Sequence, residues 1–198
     1  MVISGIADGP FSARERNDIL HLLSVGSVVP RKGFDILVSA LALLADVPWR
    51  LTIVGDLTRD RTEAAKIQHL ISQHGLAGRV ETIGAIPSAQ LAELYAKADL
   101  FVLASRFEGY GMAYAEALCH GLPVIGTTAG AIPDTIPRGA GLLVPPDDPA
   151  ALAAALRGII VDTEQRRSLS DAALAAARTL PTWRESAAIF AATLDKLA

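Results

Sequence analysis

Glu108 and Glu116 stand eight residues apart in the run FEGYGMAYAEALCHGLPV (107–124), and Gly109 and Gly111 follow the first of them. Two carboxylates in so apolar a stretch have two readings: solvated helix residues, or acceptors for a ligand rich in hydroxyl donors. An inward-facing carboxylate needs such donors, because a buried charge without hydrogen bonds is costly. Eight residues of helix rise at most about 12 Å, so the pair would touch different ends of one elongated ligand. The paired glycines leave room for a ligand to approach backbone amides at the next helix start; a tight turn without a ligand is the alternative.

A second candidate is Gly26-Ser27-Val28-Val29-Pro30-Arg31-Lys32-Gly33. It fails as a P-loop, which needs glycine where Arg31 stands and Ser or Thr where Gly33 stands. What remains is a glycine-edged loop with two cations opening a helix, suited to a phosphate or to nothing more than a solvated turn. The run Gly109–Tyr114 fails as a dinucleotide fingerprint, since Tyr114 occupies the third glycine position. Cys119 and His120 are adjacent and would point about 100° apart on a helix, which rules out a Cys-His dyad. His21, His69 and His74 lack metal-ligand spacing. Asp147 and Asp148 read as a helix cap before Pro149 rather than as metal ligands. Gly126–Gly130 has threonine where a nucleophile elbow has serine; it reads as a flexible loop at a strand end.

The elements that must position these residues alternate. Short apolar runs at 19–27, 50–56, 79–85, 99–105, 123–127 and 140–146 read as strands, with helical spacing at 33–47, 62–75, 88–98 and after residue 107. Six such runs separated by helices call for right-handed crossovers: a doubly wound, Rossmann-like α/β fold with a parallel sheet of about six strands and helices on both faces. Such sheets bind ligands beyond the carboxyl ends of their strands, so the loops at 26–33, 55–60, 84–88, 105–112 and 127–134 are the ones to watch. From Asp148 the chain turns helical. It ends in an amphipathic helix at 182–198 whose stripe of Trp183, Ala187, Phe190, Ala191 and Leu194 needs a surface to cover, which another part of the protein could supply.

Composition sets outer limits. The chain has 198 residues, 51% of them hydrophobic and 20% charged, enough for one sizeable core. A net charge of -3 gives no basic footprint for nucleic acid, so an anionic ligand must be held locally. A single cysteine, Cys119, excludes an internal disulfide and fits a reducing cytoplasm. No targeting signal or long apolar span is visible, and a soluble protein is expected.

Together, GSVVPRKGFDILVSAL, ADLFVLASRFEGYGMAYAEALCHGLPVIGT and AGLLVPPDDPAALAAAL resemble the donor-binding, C-terminal half of retaining GT-B glycosyltransferases of the family 4 (group 1) type, from about Gly5 to Leu156. The pair Glu108 and Glu116, in an E-G-Y-G context and followed by G-L-P-V, matches that family's E-x7-E motif. The resemblance implies roles position by position. Lys32 is similar to the lysine that grips the diphosphate of a nucleotide sugar. Glu108 is similar to the glutamate at the donor sugar, beside the reacting carbon, and Glu116 to the one that accepts hydrogen bonds from ribose hydroxyls. The amides of Tyr110, Gly111 and Met112, after Gly109, would face sugar and phosphates, and Ile86 would lie against the nucleobase. Lys32 and Glu108 are thus the catalytic candidates.

One departure matters. Many members have arginine where this chain has Ser27, so Arg31, or Arg106 near the first glutamate, would have to supply the second cation. The resemblance also implies a partner that the sequence lacks, an N-terminal domain holding the acceptor, with residues 1–18 derived from the interdomain linker, residues 19–198 forming one domain, and the final helix crossing back to the other half. The implied reaction moves a hexose from a UDP-, GDP- or ADP-sugar to an acceptor hydroxyl with retention, without a metal or cofactor. Any membrane contact would come through the other half, at the inner face. The alternative is a nucleotide-sugar-binding module or donor subunit of a two-chain transferase, without turnover of its own.

Overall fold

A computed structural model describes residues 19–180 and 183–194. The linker-like opening at 1–18 and the ends of the last helix, residue 182 and residues 195–198, lie outside the described residues, as do the side chains of Trp183 and Leu194.

The six expected strands are present: β1 (Leu20–Val25), β2 (Trp49–Val54), β3 (Val80–Thr82), β4 (Leu100–Val102), β5 (Val124–Thr127) and β6 (Gly141–Val144). They form one parallel sheet in the order β3-β2-β1-β4-β5-β6, with helices on both faces. That order reverses between β1 and β4, the switch point beside whose carboxyl edge such sheets bind ligands. The central strands are buried on both faces, as their unbroken apolar runs require. Leu22, Leu23, Leu100, Phe101, Val102, Val124 and Ile125 are all within 2% of full burial.

A 3-10 turn, Pro30–Lys32, follows β1 and leads into α1 (Phe34–Ala42). Helix α1 is shorter than its apolar spacing suggests. Its end tightens into three-residue turns, with Leu43 N donating to Ala40 O and Leu44 N to Leu41 O, before Pro48 closes the segment. Then come α2 (Arg61–Gln73), α3 (Ser88–Lys97), α4 (Met112–Cys119), a short α5 (Ile132–Thr135) without a sequence signal of its own, α6 (Pro149–Val161), α7 (Thr163–Ala177) and α8 (Trp183–Leu194). The Asp148 cap forms as expected: its Oδ1 accepts from Ala151 N at 2.8 Å, with Pro149 at the first helical position. Asp60 caps α2 in the same way. Helix α1 packs on α2 and α6, and α4 on α7. On α8, the described stripe residues Ala187, Phe190 and Ala191 are exposed, Phe190 to 67%. Among the described residues no helix is long and apolar enough to cross a membrane.

Candidate functional site

The loops after β1 and β4 meet at the carboxyl edge, where the order reverses, and bring Lys32, Arg31 and Glu108 together. Lys32 Nζ lies 2.6 Å from Glu108 Oε1, and Arg31 Nη1 lies 3.3 Å from Oε2. Lys32 and Glu108 are buried, while the Arg31 side chain is half exposed. Ser105 Oγ donates to Glu108 Oε1 at 2.6 Å. Burial alone would push the Glu108 carboxyl up. Hydrogen bonds from Lys32 and Ser105, with the charges of Lys32 and Arg31, outweigh it and hold the group below its ordinary value. The Glu108 carboxylate is therefore kept charged in a largely dry place, the condition under which a fixed charge acts most strongly on a ligand.

Local backbone chemistry explains how the two loops reach each other. Gly33 has φ 65°, and a Cβ there would stand 2.0 Å from Ala104 O, so the turn carrying Lys32 lies against the β4 loop only because residue 33 is glycine. Gly26 clears the lysine stem in the same way: a Cβ there would meet Lys32 Cε at 3.1 Å. Ser27, the position lacking arginine, is half-buried beside it. On the far side, Ala131 N donates to the Glu108 carbonyl at 2.9 Å and Thr127 Oγ1 to Ser105 O at 2.6 Å. The Gly126–Gly130 segment is thus a braced wall behind Glu108, where the sequence suggests a flexible loop.

Helix α4 opens beside the ion pair. Gly111, in the left-handed region at φ 93°, is its N-cap residue, and Tyr110 O is held by Thr135 Oγ1. Gly109, Tyr110 and Met112 are exposed, at the helix start where the first amides have no partners within the helix. Glu116 is half-buried further along α4 and receives the Tyr95 hydroxyl from α3 at 3.2 Å. Burial raises its carboxyl above the ordinary value despite that bond. Ile86 lies in the loop after β3, partly buried against the core. The Tyr95 ring also stacks on His120, 5.0 Å between centroids, and burial lowers the His120 pKa. Burial likewise pushes the half-buried Cys119 thiol up, the direction of a packed rather than a reactive cysteine.

Arg106 does not supply a cation to the crevice. It is bound to Asp35 and Asp147, which leaves Arg31 as the second charge near Glu108. Ser105, Thr127, Thr135 and Tyr95 go unremarked in the sequence. For Ser105 a signal exists, the S-x-x-E spacing to Glu108; Tyr95 touches Glu116 across 21 residues and leaves none.

Comparison with known proteins bears on the family and the fold. Residues 10–175 match the family model described as glycosyl transferases group 1. The chain is 31% identical to a D-inositol 3-phosphate glycosyltransferase of Corynebacterium glutamicum (strain R), over 89% of this chain and 44% of that protein. It superposes with a TM-score of 0.82 on Anabaena Alr3699/HepE in complex with UDP-glucose, at 26% identity, over 90% of this chain and 49% of that one. It also superposes, with a TM-score of 0.73 at 26% identity, on the C-terminal domain of a group 1 family protein (LpcC) from Francisella tularensis, over 81% of this chain and 87% of that one. The chain thus spans less than half the length of the curated relative. Its fold and its match over residues 10–175 place it in the group 1 glycosyltransferase family, as a GT-B C-terminal domain.

Proposed function

We propose that residues 19–198 are the nucleotide-sugar-binding unit of a retaining hexosyltransferase of the family 4 type, acting with an N-terminal acceptor domain. The buried Lys32–Glu108 pair, set at the strand-order reversal beside the open start of α4, is the observation that carries this reading. Lys32 takes the diphosphate, with Arg31 as the second cation in place of the arginine lacking at Ser27. The amides after Gly109, at Tyr110, Gly111 and Met112, add partial positive charge. Glu108 accepts hydroxyls of the donor sugar and Glu116 those of the ribose, while Ile86 covers the base.

As the glycosidic bond breaks, charge builds on the leaving diphosphate, where these fixed cations and dipoles need little reorganisation to stabilise it. Glu108 orients the sugar ring. The Anabaena structure with UDP-glucose supports a nucleotide-sugar donor and favours UDP. Transfer needs an acceptor held in line, so the unit by itself binds donor and turns over slowly. A cytoplasmic setting accords with the lone cysteine.

Calorimetric titration with UDP-, GDP- and ADP-glucose tests the reading. One donor should saturate the chain, and Lys32→Ala should weaken it by about tenfold or more, the loss of a charge-assisted contact. Absence of binding by all three, or an unaffected Lys32→Ala variant, would rule it out.

A further inference from the structure

Arg106 stands two residues before Glu108 yet binds away from it. Its Nη1 and Nη2 each lie 3.0 Å from a carboxylate oxygen of Asp35 on α1. Its Nε lies 2.6 Å from Asp147 Oδ1, in the loop between β6 and α6. Nη1 also donates to the Pro30 carbonyl, and the Arg106 backbone N–H donates to Arg31 O at 2.7 Å. Pro30 and Arg31 belong to the turn that presents Lys32. One residue of the Glu108 loop therefore grips the Lys32 turn at two carbonyls and anchors it to α1 and to the β6–α6 loop.

Two further features point to a device rather than an incidental surface pair. Asp147 has φ 57°, the one non-glycine left-handed residue among those described. Aspartate tolerates this conformation, and Arg106 Nε holds its carboxylate there. Lys66 holds Asp35 from the other side at 2.8 Å, fixing the carboxylate that receives the guanidinium fork. A planar fork with donors in set directions can join these acceptors at once; a lysine ammonium cannot.

We propose that Arg106 is a positioning residue that sets the reach of Lys32 relative to Glu108, and thereby the fit of the site to the diphosphate and sugar of its donor. The proposal rests on the nucleotide-sugar reading for its ligand, but not for its geometry. Sub-ångström placement is where such a residue acts, since a displacement of about 1 Å can cost on the order of a hundredfold in a catalytic site.

The test uses the full chain with Arg106→Gln and Arg106→Lys. Carbon-detected NMR follows the titration of the Glu108 carboxyl, which faces Lys32, Arg31 and Ser105. Calorimetry compares UDP-glucose with UMP, which lacks the second phosphate and the sugar. In both variants Glu108 should titrate at higher pH than in wild type, as its contact with Lys32 loosens. UDP-glucose affinity should fall about tenfold or more and that of UMP by less than about twofold. Arg106→Lys should rescue neither. Lower thermal stability with the Glu108 titration and UDP-glucose affinity unchanged would overturn the proposal, because a brace of the fold alone predicts that pattern. Should Arg106→Gln fail to fold, Asp147→Ala removes one exposed anchor and should move both readouts the same way by a smaller amount; no movement would overturn the proposal. If wild type binds no nucleotide sugar, the functional reading falls and the Glu108 titration alone decides the role of Arg106.

Discussion

Burial pushes the Glu116 carboxyl up, and the single hydrogen bond from Tyr95 does not bring it back to its ordinary value. Ribose hydroxyls donating to the same carboxylate would favour its charged form, so the complex holds fewer protons there than the free protein. Donor affinity should therefore rise with pH across the weakly acidic range just above the ordinary glutamate value and level off once Glu116 is ionised. Calorimetry at stepped pH checks this: Glu116→Gln should lose that part of the slope, and a variant that keeps the full slope would remove Glu116 from the ribose. At this scale the spacing of Glu108 and Glu116 was legible because motif spacing is local. The partners that tune them were not. Lys32 and Glu108 meet across 76 residues, and Tyr95 and Glu116 across 21, contacts that only the fold creates.

Among the elements, the start of α4 holds two glycines that do different work. Gly111 has φ 93°, and a Cβ there would come within 2.9 Å of Tyr114 Cδ2; Gly109 has open space around it. Gly111→Ala should cost roughly 1–2 kcal/mol in chemical denaturation, from left-handed strain and the clash. Gly109→Ala should change stability by less than about 0.5 kcal/mol. If a donor approaches the backbone at 109, that variant should nevertheless bind UDP-glucose more weakly by about fivefold or more, through steric exclusion at an otherwise neutral position. Strand and helix existence was readable from apolar runs of different period. Element ends and α5 were not, since α5 is four residues long and its packing of Ile132 into the core depends on the neighbouring strands. The brace at Gly126–Gly130 escaped for a related reason: glycine and threonine signal a bend, not what the bend rests against.

Across the whole molecule, the strand order β3-β2-β1-β4-β5-β6 concentrates the charges on one edge, and acid should reveal this. For Asp35, burial works against ionisation, but hydrogen bonds from Arg106 and Lys66 win and lower the carboxyl to about 2. Glu108 shifts in the same direction. A carboxylate with a depressed folded-state pKa contributes stability that is present above its unfolded value, roughly 3.8 for Asp35, and is lost as pH falls through about 2. After solvent screening Asp35 contributes about 1 kcal/mol. Glu116, with its raised pKa, acts in the opposite sense, its contribution being lost as pH rises through the folded value. Denaturant unfolding between about pH 5 and about pH 2 should show a falling limb that Asp35→Asn flattens; an unchanged limb would mean that Asp35 is not held charged by its partners. Binding of a nucleotide sugar at the carboxyl edge, over the joined β1 and β4 loops, is put to the test by amide chemical-shift mapping as UDP-glucose is added. The largest changes should fall on residues 26–33 and 108–116, with a smaller group around Ile86. Changes centred elsewhere on the sheet, or none at saturating ligand, would contradict it.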